Sequence, residues 1–357
     1  MSKSIGANDV ERLALGASFL ASGGGGAPYH PVLMAQNALS RHGAVILVRP
    51  DELARDALLL PIIIGGPPSA VVESLPSAEQ LHQLRAVVEE VSKAPCGGVL
   101  PIQIGPVNSV FPVAAAAELE LPCVDADIMQ HCFPSLQMTS LALNGIPMSP
   151  MIMVDASGAY SIIQAGTDQA GARLLRATLA EMGMVALVSA YTVTADICRR
   201  FGDVGSISRC IALGELVERL QGGDHAAFDE CLRFCCGSAV FEGVVIEDRH
   251  DITGGVPRGV VTALSDSAPH SILRLDHGSE YVAATVDGAI VAMVPDIITL
   301  VDSDTYAIIP APDVVRGQRV TVLSIPGDDR WRTPGARDII GPAEFGLPRI
   351  AYSENSR

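Results

Sequence analysis

Two textures divide this chain near Ala239, and that division constrains its fold more than any single motif. Before it, apolar runs of strand length alternate with stretches of helical periodicity. "AVILV" (Ala44–Val48) and "ALLLPIIIGG" (Ala57–Gly66) read as buried strands. Pro31–Ser40, Pro76–Lys93 and the Ala-rich Val110–Leu119 read as helices, with a strand at Val99–Ile104. "MIMVDASG" and "YSIIQA" read as a hairpin turning at Asp-Ala-Ser-Gly. A helix from Asp168 to about Met182, the strand-like "MVALVSAYTVTA" and the helical "GSISRCIALGELVERL" follow. Alternation of this kind predicts an α/β layer architecture. After Ala239 only short β-type runs remain, among them "AVFEGVVIE", "GVVTAL", "YVAATVDGAIVAMV", "YAIIP" and "QRVTVLSI". They predict a barrel- or sandwich-like β module. The expected organisation is an α/β domain over 1–166. A C-terminal domain over 167–357 then carries a helical segment followed by β-rich structure.

Composition limits what such a chain can bind. Hydrophobic residues make up 48% and charged residues 18% of the 357, enough for a large aliphatic core and too apolar for disorder. The 24 basic residues are outnumbered by 40 acidic ones, a net charge of −16 that argues against nucleic acid and anionic membrane surfaces. A small-molecule substrate is the expected partner, and the composition is compatible with homo-oligomer interfaces. The eight cysteines are dispersed without a CxxC pair and read as reduced, mostly buried thiols. "MSKSIGANDVERL" has no signal-peptide core, and "ALLLPIIIGG" is too short to span a bilayer. A cytoplasmic protein is expected.

Gly23, Gly24, Gly25 and Gly26 stand between two helical runs, the first of which Asn8 or Asp9 can cap. A phosphate loop needs a strand leading in and usually a Lys-Ser/Thr pair closing it; here a helix leads in and neither residue follows. What remains is either a helix C-cap with a tight turn or a close approach of backbone to a ligand or to other backbone. One or two glycines suffice for the turn, so four favour the close approach.

The chemistry-bearing residues cluster in "VDADIMQHCFPS". Asp125 and Asp127 are i and i+2 after an apolar strand, and continued strand geometry puts both side chains on one face. There they can act as general base, hold a water or bind a cation; either can instead cap a helix, Asp127 the more readily. His131 is a polar site candidate. Cys132 beside it reads as structural, because adjacent residues of a helix diverge by about 100°. The eight histidines show no HxH or HExxH spacing. Cys231 and Cys235 lie in an apolar context, so a divalent metal is not indicated by ligand spacing and the cofactor is open.

Several segments together resemble one family, the S-methyl-thiohydantoin desulfurase-like proteins encoded beside hydantoinase/oxoprolinase genes. They are "GASFLASGGGGAPY", "IIIGGPPSAVVE", "IGPVNSVFPVAAAAELELPCVDAD", "FPSLQMTSLALNGIPMSP", "GSISRCIALGELVERL", "VDGAIVAMVPDIITLVD" and "IIGPAEFGLPR". The resemblance implies an N-terminal α/β domain and a β-rich C-terminal part. It carries Asp125, Asp127, Asn108, Glu73 and the four glycines over as matching positions. The family pattern after the aspartates resembles Gly-Met-Gly-Arg-Ala-Phe-Pro-Glu, whereas this chain reads Ile128 to Ser135 as Ile-Met-Gln-His-Cys-Phe-Pro-Ser; Gln103 stands where a glutamate is expected. The implied activity is hydrolysis of a small cyclic ureide or thioimidate. Asp125 is the expected base or metal ligand, Asp127 its partner and His131 an acid or donor. The glycine amides, Asn108, Glu73 and Gln103 are expected around the ring. The alternative is a non-catalytic binding or accessory subunit of a hydantoinase/oxoprolinase-type system.

Overall fold

The computed structural model describes residues 3–253 and 256–345. The chain forms two compact units. Unit 1 comprises residues 1–21 and 25–227; unit 2 comprises Ser22–Gly24 and 228–357. The helical segment after Thr167 therefore belongs with the α/β unit, and the division falls inside the glycine run at one end and at Ala227 at the other.

Unit 1 is built on a mixed nine-stranded sheet. Its strands are β1 (Lys3–Ile5), β2 (Val45–Val48), β3 (Leu58–Gly65), β4 (Cys96–Pro101), β5 (Cys123–Val124), β7 (Met151–Val154), β8 (Tyr160–Ile163), β9 (Ala186–Ser189) and β10 (Val193–Thr194). A separate short ladder joins β6 (Ala126–Asp127) to β11 (Asp203–Val204). The sheet order is β1-β2-β5-β4-β3-β9-β7-β8, with β10 also on β3. β2, β5, β4 and β3 run parallel, and the remaining pairings are antiparallel. β3 is central, and Leu58 through Ile64 are all buried, which is why its sequence is continuously aliphatic rather than alternating. Pro61 is tolerated there because β10 pairs with Leu58 and Leu59 and β9 with Ile63 to Gly65. The gap between them falls where proline has no N–H to offer.

The helices of unit 1 are α1 (Ala7–Phe19), α2 (Tyr29–His42), α3 (Pro68–Glu73), α4 (Ala78–Ser92), α5 (Phe111–Glu118), α6 (Ser140–Leu143), α7 (Asp168–Glu181), α8 (Ala195–Phe201) and α9 (Ser206–Gln221). α1 starts from Gly6 rather than from Asn8 or Asp9; Asp9 sits inside the first turn and its Oδ2 accepts the Gly6 N–H at 2.8 Å. α10 (Ala226–Cys235) leads into unit 2.

Unit 2 carries one antiparallel sheet of seven strands, a half-barrel. They are β12 (Ser238–Thr253), β13 (Val256–Ser265), β14 (Ile272–His277), β15 (Tyr281–Val286), β16 (Ala289–Met293), β17 (Ile297–Asp302) and β18 (Arg319–Ile325), in the order β16-β15-β14-β13-β12-β18-β17. Asp287 and Gly288 both have positive φ, the signature of the tight turn joining β15 to β16. "YAIIP" forms no strand; Ile308 makes only an isolated bridge to Val301. A last helix, α11, spans Pro334–Ile340.

Two glycines set how closely α1 and α9 approach. A Cβ on Gly16 would lie 1.9 Å from the carbonyl oxygen of Cys210, and a Cβ on Gly214 would lie 1.7 Å from that of Arg12. Both obstacles are backbone, so no rotamer change relieves them. Gly16→Ala and Gly214→Ala should each cost about 1–3 kcal/mol or more. Urea unfolding checks this: unchanged midpoints in both variants would contradict the close approach.

Candidate functional site

In sheets of this kind ligands bind beyond the carboxyl ends of parallel strands. Most of the residues nominated from sequence lie there. Glu73 ends α3, which follows β3; Gln103 and Asn108 lie in the loop after β4; Asp125, Asp127 and His131 follow β5. The stretch is unusual in this aliphatic core, since Gln103, Asn108, Ser109, Asp125, Asp127, His131, Thr139 and Ser140 are all buried. Glu73, by contrast, is exposed.

Internal hydrogen bonds knit these loops together. The Ile128 N–H donates to the Ile102 carbonyl at 3.1 Å, joining the loop after β6 to the loop after β4. Gly105 N–H donates to Ser109 Oγ at 3.0 Å, and Ser109 N–H returns to the Gly105 carbonyl at 2.9 Å. Asn108 Oδ1 accepts the Ile64 N–H at 2.9 Å, pinning its loop to the end of β3. Farther along, Tyr191 Oη accepts from Thr139 Oγ1 at 2.7 Å and donates to the Leu136 carbonyl at 2.8 Å.

Asp125 and Asp127 do not continue one strand. Pairing breaks at Asp125, and the two carboxylates meet different partners. Asp125 Oδ1 accepts the Ser208 N–H at 2.9 Å and Oδ2 accepts the Ser208 hydroxyl at 2.8 Å. The Asp125 carbonyl also receives the N–H of Gly205, the residue before α9, at 2.7 Å. This carboxylate satisfies one open N–H donor, that of Ser208, in the first turn of a 16-residue helix and places negative charge there.

Asp127 is fully buried. Its Oδ1 accepts the N–H groups of Met129 (2.7 Å) and Gln130, closing a turn in which Gln130 has φ +73°. Its Oδ2 is buried without a hydrogen-bond partner among the described residues. Asp203 lies directly opposite Asp127 in the β6–β11 ladder and is ion-paired with Arg209. Burial first, and the Asp203 charge second, push the Asp127 carboxyl up to about 7; the N–H groups of Gln130 and Met129, and after them the Ser206 side chain, pull it down. One carboxylate of the pair thus holds the guanidinium and the other is poised to keep a proton near neutrality.

His131 is buried, with its ring 3.9 Å from that of Phe133. Cys132 is buried too, and a Cβ on Gly25 would lie 3.4 Å from its Sγ and 2.7 Å from Pro106 Cδ. The thiols of Cys96 and Cys198 are pushed up to about 12 and that of Cys123 higher still, all chiefly by burial, as inert packing residues are.

Each part of the glycine run is closely packed within its own unit. In unit 2, the Ser22 carbonyl accepts the Tyr281 N–H at 2.6 Å, Ser22 Oγ accepts the Ile298 N–H at 3.2 Å, and the Gly23 carbonyl accepts the Ala311 N–H at 2.9 Å. A Cβ on Gly23 would lie 2.4 Å from the Tyr281 ring, and one on Gly24 would lie 2.5 Å from Glu280 Cγ. In unit 1, Gly25 abuts Pro106 and Cys132, and both Gly25 and Gly26 have positive φ. Close approach to neighbouring side chains and backbone accounts for Gly23 to Gly25. The amides of Gly25 and Gly26 donate no hydrogen bond among the described residues.

Each unit holds a cleft among its described residues. One of about 370 Å³ is lined by residues including Phe228, Phe241, Tyr306 and Thr321; another of about 230 Å³ is lined by residues including Asp51, Arg55, Asp196 and Arg199. Neither is lined by a nominated residue. No helix among the described residues is long and apolar enough to cross a membrane.

The raised carboxyl has a consequence for stability. Its folded value of about 7 lies above the ordinary value of about 3.9, so the fold favours the protonated form. The stability that this group contributes is full below about pH 4 and is lost as pH rises through about 7. Asp127→Asn cannot ionise. Its unfolding free energy should gain on that of the wild type by on the order of 2 kcal/mol between about pH 5 and about pH 8. Denaturant unfolding at both pH values checks this, and parallel pH profiles would contradict it.

Comparison with known proteins places the chain. Residues 8–165 match the family model described as S-Me-THD-like, N-terminal domain, and residues 166–355 match the S-Me-THD-like, C-terminal domain. An X-ray crystal structure of a protein from Chromobacterium violaceum is similar in fold, with a TM-score of 0.80 at 20% identity over 97% of this chain and 98% of that one. No curated protein sequence matches. The chain belongs to the S-Me-THD-like, that is S-methyl-thiohydantoin desulfurase-like, family.

Proposed function

With membership of the S-Me-THD-like family as the premise, we propose that this protein hydrolyses a small five-membered cyclic thioimidate of the S-methyl-thiohydantoin type. Water adds to the ring carbon bearing the S-methyl group and loses a proton to a base. The carbon–sulfur bond then breaks, and methanethiolate leaves and takes up a proton. The net reaction converts thioimidate and water to hydantoin and methanethiol.

The observation that carries this reading is Asp127. It is a buried carboxyl raised to about 7, with one oxygen held by backbone N–H groups and the other without a partner among the described residues. A base poised near neutral pH combines a substantial ionised fraction with useful basicity. Asp125, whose two oxygens both bind Ser208, acts in this scheme as a positioning residue that fixes α9 against the end of β5. His131 serves as the proton donor to the leaving sulfur. The amides of Gly25 and Gly26 and the side chains of Asn108 and Gln103 orient the ring carbonyls and receive developing negative charge.

A second reading, a non-catalytic binding subunit of a hydantoinase/oxoprolinase-type system, is favoured by one observation. His131 and Ser135 stand where the family pattern resembles arginine and glutamate, so a bidentate anion contact is lost. Incubation with S-methyl-thiohydantoins separates the two readings. Methanethiol is best measured in the vapour phase, because the exposed Cys236 reacts with thiol reagents. We expect release whose rate climbs with pH through about 7, the value of the Asp127 carboxyl. Asp127→Asn should lower kcat/KM by about 10²–10⁴-fold. Asp125→Ala should cost about 1 kcal/mol of stability by uncapping α9. Ligand binding without turnover would select the accessory reading, and wild-type turnover by Asp127→Asn would remove that residue from the mechanism.

A further inference from the structure

Unit 2 holds a cluster that the desulfurase reading does not use. Asp248 and His250 stand two residues apart on β12 and so share one face of that strand. The register sets His250 opposite Gly259 on β13, and Gly259 opposite His277 on β14. Glycine in the middle strand is what lets the outer side chains meet, because a Cβ there would lie 2.2 Å from His277 Nε2. The His277 ring lies across β13, with its centroid 5.0 Å from that of His250. One donor atom from each of Asp248, His250 and His277 lies within 4.8 Å of the others.

The hydrogen bonding of the cluster is incomplete in a directed way. His277 is 6% exposed, and its Nδ1 lies 3.1 Å from the Gly278 carbonyl oxygen. A carbonyl only accepts, so Nδ1 carries the proton and Nε2 presents a lone pair. That Nε2 is buried and has no hydrogen-bond partner among the described residues. Asp248 Oδ2 meets His250 Nε2 at 2.7 Å, while Asp248 Oδ1 is buried without a partner. An ion pair between Asp248 and His250 therefore accounts for one contact and leaves two buried acceptor atoms unsatisfied, a costly arrangement. A cation satisfies both. An imidazole whose Nδ1–H is held by a carbonyl while Nε2 faces a carboxylate is arranged as metal-binding histidines are.

We propose that Asp248, His250 and His277 bind one divalent first-row transition-metal ion of the zinc type. Two imidazoles and a carboxylate suit such ions better than magnesium or calcium, which prefer all-oxygen sites. Metal–donor distances of about 2.0–2.2 Å require the three atoms to draw together by roughly 1 Å. The exposed side chain of His250 has the freedom to make that movement. Three protein donors leave a fourth position for water or another small ligand. The site stands independently of the desulfurase reading.

Zinc titration of chelator-stripped full-length protein, followed calorimetrically, tests the proposal. All samples carry Cys236→Ser, because that exposed thiol would bind zinc on its own account. One saturable equivalent is expected, weakened at least tenfold in His250→Ala, a variant of an exposed residue that leaves the core intact. Gly259→Ala keeps all three donors but displaces the His277 ring, and should weaken zinc by a similar factor. Cobalt(II) in place of zinc should give a visible ligand-field band that His250→Ala loses. No saturable equivalent, or equal zinc affinity in His250→Ala and its parent, would overturn the site. Should Gly259→Ala fail to fold, the His250→Ala comparison decides alone.

Discussion

The start of α9 is the joint on which the α/β unit is organised. Its open N–H groups need acceptors, and Asp125 takes the Ser208 N–H on Oδ1, the Ser208 hydroxyl on Oδ2 and the N–H of the preceding Gly205 on its carbonyl. Just upstream of the helix, β11 pairs with β6 and places Asp203 opposite Asp127. Along its length, Gly214 against Arg12 and Gly16 against Cys210 hold α9 on α1 at backbone contact. One helix is thus fixed at its tip by charge and hydrogen bonds, and on its side by the absence of two Cβ atoms. The carboxylate pair of the candidate site is a consequence of that fixation.

The electrostatics of the pair follow from burial. Asp127 is fully buried, so desolvation dominates its electrostatics in spite of the buried polar residues of the surrounding loops. Arg209 is ion-paired with Asp203, and the Asp127 anion is stabilised by the N–H groups of Gln130 and Met129 and by the Ser206 side chain. Two aspartates that are near neighbours in sequence therefore do different work. Asp125 holds a helix, and Asp127 is tuned toward neutral pH.

The architecture was legible where side-chain periodicity reports burial. The uninterrupted run from Leu58 to Ile64 became the central strand, whereas "YVAATVDGAIVAMV", read as one β-type run, divides into β15 and β16 at the positive-φ pair Asp287 and Gly288. Local signals were less reliable where tertiary partners decide. Asp9 looked like a cap and lies inside the first turn, while Asp125 caps a helix 83 residues away in sequence, beyond the reach of any local pattern. The glycine run implied a close approach; that Tyr281, Glu280, Pro106 and Cys132 make it depends on residues far along the chain. The Asp248-x-His250 spacing is a same-face signal that a search for paired histidines passes over. Its third member is brought in by register across Gly259, which sequence spacing does not encode.

The central claim is that Asp127 is a near-neutral carboxyl in the folded protein. Infrared difference spectroscopy across a pH step, with Asp127→Asn as the blank, observes that carboxyl directly. A protonated carboxyl stretch is expected at about pH 5.5 and should be lost by about pH 8.5, a window that brackets the raised value. A carboxylate already ionised at the lower pH would contradict it.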